Sequence, residues 1–145
     1  MRLKHAVFAC LVLTSGLTIA AAAQAETITY QADLAGSQES PTNDSGAKGH
    51  AVVRFDTDTK RLSWTVEYSG LSGMAMGAHI HGPAAAGTNA GILIPFQTPD
   101  KSPITGSAPI DDQGIQYLKD GRLYVNIHTM MHPGGEIRGQ LLKSN

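Results

Sequence analysis

His79 and His81, one residue apart in "AHIHGPAAAG", are the first residues whose type and spacing suggest chemistry. His128 and His132 frame a second such stretch, "HTMMH". Imidazole nitrogens suit copper, zinc, iron or nickel and disfavour calcium and magnesium. Two imidazoles at i, i+2 on an extended chain share one face, with Cα atoms roughly 6.5–7 Å apart. A third from a neighbouring strand, His128, would let three nitrogens converge on one ion. His132 lies in a loop that can fold back and supply a fourth. Among divalent ions, copper binds such a set most strongly. Met74 and Met76 precede the first pair, and Met130 and Met131 lie between His128 and His132. Thioethers are soft ligands that favour Cu(I), although any one methionine can equally fill gaps over a core. Arg138, in "EIRGQ", carries a permanent charge and a rigid fork of donors. Beside a metal it would attract and orient a small anion. His50, in "KGHAVV", precedes an apolar strand and reads as a residue at the start of that strand, with ligation the lesser alternative.

The elements that must position these groups are strands. In "RLSWTVEY" the apolar Leu62, Trp64, Val66 and Tyr68 alternate with polar residues, the period of a sheet with one buried face. The same parity places Ala78 and Ile80 inward and His79 and His81 outward. In "RLYVNIH" it sends Leu123, Val125 and Ile127 inward and Tyr124, Asn126 and His128 outward. In "EIRGQLL" it sends Ile137 and Leu141 inward and Glu136, Arg138 and Gln140 outward. Three histidines and an arginine should then project from the outside of the sheet. Asn126, Glu136 and nearby carbonyls are candidates for orienting the rings. Further strands are expected in "TITYQADL", "HAVVRF", "GILIPF" and "ITGSAPI", and one or two helical turns in "DDQGIQYLKDG". Turn residues recur about every 8 to 12 residues, the spacing of an all-β sandwich or barrel.

Composition narrows the function. A basic start, an apolar run and the small-x-small "AQA" predict a signal peptide over residues 1–25, leaving one domain over 26–145. The chain's one cysteine, Cys10, falls in that leader, so neither disulfides nor thiolates hold the domain together. Nine Lys and Arg against twelve Asp and Glu leave the exported part at about −3. With no basic cluster, nucleic acid and membrane after signal cleavage are poor partners. The expected location is periplasmic or extracellular, and the oligomeric state is open.

"HIHGPAAAGTNAGILIPF", "GRLYVNIHT" and "HPGGEIRGQL" resemble the chordin-type, or CHRD, domain, an all-β domain of exported proteins. The H-x-H strand, "DGRLYVNIHT" and "GGEIRGQLL" are also similar, in the same order, to strands of copper-zinc superoxide dismutases. These resemblances imply a Greek-key antiparallel β-sandwich or barrel of about eight strands, immunoglobulin-like or superoxide-dismutase-like. The second one implies copper on His79, His81 and His128, with Arg138 as the active-site arginine. No zinc loop is visible between "HIHG" and "GILIPF" and the dismutase cysteines are missing, so a copper-only variant is implied; His132 has no counterpart in the dismutase pattern. The expectation is an exported copper protein acting on superoxide or another small anion. The rivals are copper storage or delivery without turnover, a non-catalytic interaction module, and more weakly zinc hydrolysis, for which no motif near the pair supplies a base.

Overall fold

The computed structural model describes residues Glu26–Asn145; the expected signal peptide lies outside the described residues. Nine strands and one helix follow in the order β1 (Thr27–Ala35), β2 (Lys48–Asp56), β3 (Arg61–Ser69), β4 (Ala75–His81), β5 (Ile92–Pro95), β6 (Ile104–Pro109), α1 (Asp112–Lys119), β7 (Tyr124–Thr129), β8 (Ile137–Gln140) and β9 (Leu142–Lys143). The strands pair antiparallel in the spatial order β5-β4-β7-β8-β1-β2-β3-β6, with β9 on β1. The sheet is a nearly closed barrel, with β5 and β6 at its two edges. β6 returns to lie beside β3 after β4 and β5 have crossed to the other side, a Greek-key connection.

Alternation builds the core. Leu62, Trp64 and Val66 of β3 meet Val53 and Phe55 of β2, Ile80 of β4, Val125 and Ile127 of β7 and Ile137 of β8, all buried. Trp64 stacks on Phe96 at 4.6 Å between ring centres. Tyr68, expected inside, is only partly buried. The expected helical turns form α1. Asp111 caps it, accepting from the Gly114 N–H at 2.7 Å, an arrangement worth about 1 kcal/mol. Among the described residues no helix is long and apolar enough to cross a membrane.

The outer face of the β4-β7-β8 sheet differs from its expected form. Tyr124 is 3% exposed, Asn126 2% and Arg138 1%. Two loops cover them. The segment after β1 is pinned where Asn43 Nδ2 donates to the carbonyls of Gly135 and Glu136. The segment after β4 is tied to it where Asn89 Nδ2 donates to the Ser40 carbonyl at 2.7 Å. Strand parity holds, but outward here means beneath a loop. The end of the face at His79 and His128 is part-exposed.

Candidate metal centre

β4 and β7 bring the three histidines together. His79 lies opposite Asn126, His81 opposite Tyr124, and His128 opposite Gly77. The His79 ring centre is 5.0 Å from that of His128 and 5.2 Å from that of His81, and His81 and His128 are 5.8 Å apart. One ligand nitrogen from each ring lies within 4.8 Å of those of the other two. Gly77 makes this approach possible. A Cβ there would stand 3.1 Å from His79 Cε1 and 3.5 Å from its Nε2, so the ring lies directly over the glycine.

Backbone carbonyls fix two of the tautomers. His81 Nδ1 donates to the Ala90 carbonyl at 3.0 Å, and His128 Nδ1 to that of Pro133 at 3.0 Å. The remaining nitrogens, His81 Nε2 and His128 Nε2, are buried without a partner, as is His79 Nδ1. A neutral imidazole held this way presents a free lone pair at the unpartnered nitrogen. The rings are held neutral. Burial, reinforced by the neighbouring His128 and His81, lowers His79 to about 4. Burial likewise lowers His81 and His128, against the Ala90 and Pro133 carbonyls, which favour their charged forms. Beside the trio opens a cavity of about 570 Å³ lined in part by His79, His128, Gly77 and Met76.

The other expected site residues fall elsewhere. His132 joins a turn through its backbone, exchanging hydrogen bonds with Thr129, and its ring is not in the close group. His50 pairs with Asp33 across β1 and β2, 2.8 Å apart. Arg138 does not face solvent as expected. Its guanidinium lies 3.5 Å over the Tyr124 ring and donates to Asn89 Oδ1 at 3.1 Å and the Thr88 carbonyl at 2.8 Å. Loop acceptors occupy its fork, so its donors are engaged and only its charge reaches beyond the loop. Neither expected orienting side chain hydrogen-bonds a histidine. Asn126 donates to Glu39 and to the Ile137 carbonyl. Glu136 accepts from Ser72, Ser45 and Thr129. Burial pushes the Glu136 carboxyl up, but those donors outweigh it and hold the group at about 2.

Three contributors had no assigned role in the sequence reading. Tyr124 stacks flat on His81, 5.0 Å between centres and 5° from parallel. Its hydroxyl donates to the Ala90 carbonyl, the acceptor that also orients His81. Its place in the outward row with His128 was the available signal. Gly77, in the H-x-H strand, was the second. Glu39, third, sat in a stretch that reads only as a polar loop. It is buried beside Asn126, where desolvation pushes its carboxyl up to about 7 despite the Arg138 charge and the Asn126 amide.

Residues 30–141 match the family model of the CHRD domain. Chordin of Danio rerio is 32% identical over 120 residues, which take in 74% of this chain. The matched region is 12% of the length of that protein. No solved structure matches the chain.

Proposed function

The chain belongs to the CHRD domain family, and from the trio of neutral imidazoles we propose that it is an exported copper protein with superoxide dismutase-type activity. The observation that carries this reading is that His79, His81 and His128 bring one ligand nitrogen each within 4.8 Å of one another, and that each ring also has a buried nitrogen without a partner. An unsatisfied buried polar atom costs about 1–3 kcal/mol. Three gathered at one place form an arrangement that a bound cation would relieve. The donor set fits copper: three imidazoles, with no carboxylate or thiolate in the group. Zinc also accepts three histidines. Glu39 and Glu136 are buried and engaged elsewhere, so neither supplies a hydrolytic base.

Copper bound here would supply the one-electron chemistry. The protein's own residues supply the rest. Ala90 and Pro133 hold the rings of His81 and His128 in one tautomer. Gly77 seats His79. The cavity beside His79 and His128 gives a small anion a route to the trio. Arg138 acts from behind, as a fixed positive charge separated from His81 by Tyr124. It is a positioning residue that contributes to the potential at the site.

The test is superoxide removal by the purified, copper-loaded protein, compared with its His81→Ala and His128→Ala variants. Activity above that of free copper, lost in both variants, is expected. Tight copper without turnover would favour carriage, and no stoichiometric copper after dialysis would favour an interaction module.

A further inference from the structure

Every methionine after Met1 stands at one end of the β4-β7 ladder, and all four are left in solvent. Met74 and Met76 are 68% and 60% exposed, Met130 and Met131 80% and 72%. The register explains their grouping. Ala75 pairs with Thr129 and Gly77 with His128, so Met76 sits in the irregularity between those pairs. Met74 and Met130 flank the Ala75–Thr129 pair, and Met131 follows. Met76 and Met130 line the same cavity as His79 and His128. Clustered apolar side chains on a surface mark a place where something binds.

The residue type selects what binds. The chain uses leucine, isoleucine and valine throughout its core, yet at this lip it places methionine four times. An apolar contact alone would be served as well by those aliphatic residues. What methionine adds is a soft, polarizable sulfur, which prefers Cu(I) over harder cations. Resting on the reading of the histidine trio as a copper centre, we propose that Met74, Met76, Met130 and Met131 form a loading site for monovalent copper. The ion is captured as Cu(I) at the lip and handed down the cavity to the imidazoles. Metal exchanges one ligand set for another without change of oxidation state, so no co-reactant is needed.

The experiment compares the purified protein with a variant carrying Met74→Leu, Met76→Leu, Met130→Leu and Met131→Leu. Leucine keeps the patch apolar and removes only the sulfur. Anaerobic Cu(I) is offered from a chromophoric chelator, with Ag(I) as a redox-inert probe, and bound metal is examined by X-ray absorption. The wild-type protein should show sulfur in the Cu(I) and Ag(I) shells and draw copper from the chelator quickly. The leucine variant should lose the sulfur signal and load more slowly, while its Cu(II) spectrum stays unchanged. His81→Gln should lose the Cu(II) spectrum and still bind Ag(I) through sulfur, which separates failure of the centre from failure of the loading site. Equal loading rates and equal silver uptake by the wild type and the leucine variant would overturn the proposal.

Discussion

The Arg138 guanidinium carbon sits 3.5 Å from the centre of the Tyr124 ring, and the His81 imidazole stacks on that same ring. A permanent cation, an aromatic plane and a metal-ligand candidate thus form one packed group beneath a loop. The guanidinium also holds that loop, donating to Asn89, Thr88 and Ala85.

Arg138→Met should therefore cost about 2 kcal/mol in folding stability, because the part-buried loop acceptors lose their donor and buried Glu39 loses its counter-charge. Arg138→Lys should recover little, since one ammonium cannot span the acceptors of a planar fork. Urea unfolding of the purified variants measures both. A loss below about 1 kcal/mol for Arg138→Met would show that the loop is held by other contacts.

Tyr124→Phe keeps the stack on His81 and removes the hydroxyl that bonds both the amide and the carbonyl of Ala90. The cost should be about 1 kcal/mol. Copper affinity should fall by about tenfold, because the Ala90 carbonyl orients His81. Calorimetric copper titration checks the second part, and unchanged affinity would contradict it.

Gly77→Ala would bring a methyl group within 3.1 Å of His79 Cε1. The ring must give by a few tenths of an ångström and lose its present seat. Copper affinity should fall by about 10- to 100-fold. Equal affinity of the variant and the wild type would show that His79 is not a ligand.

Glu39 should leave a mark on the pH dependence of stability. Its carboxyl is raised from the ordinary 4.5 to about 7, first by burial, so the fold binds its proton more readily than the unfolded chain does. The stabilisation is complete below about 4.5 and is lost as pH rises through about 7. Glu39→Gln, which cannot ionise, should gain on the wild type over that interval by on the order of 3 kcal/mol. Comparing the two proteins cancels the titration of the histidines. Parallel stability curves would contradict the assignment.

Much of this architecture could be read from residue order. Alternation over Leu62, Trp64 and Val66 marked the inner face, and Asp111 with Gly121 bounded the helix. The same parity put His79, His81 and His128 in one row. Parity says nothing of what lies above a row, and here the physics is long-range. The stretch that covers Arg138 is rich in alanine and glycine, without an apolar pattern to betray a buried surface beneath. It is held by its own carbonyls. The acceptors that set the histidine tautomers, at Ala90 and Pro133, are likewise backbone atoms, which carry no signature in the side-chain sequence. His132 shows the opposite failure. Its spacing from His128 suggested convergence, but the turn it belongs to is fixed by backbone bonds with Thr129 and leaves its ring outside the group.

Copper electron paramagnetic resonance on the dialysed protein shows whether the three histidines hold copper. A copper centre on this trio should give one retained Cu(II) per chain, coupled to the imidazole nitrogens of His79, His81 and His128, with one coupling lost when His128 is replaced by alanine. Absence of retained copper, or a spectrum unchanged in His128→Ala, would contradict it.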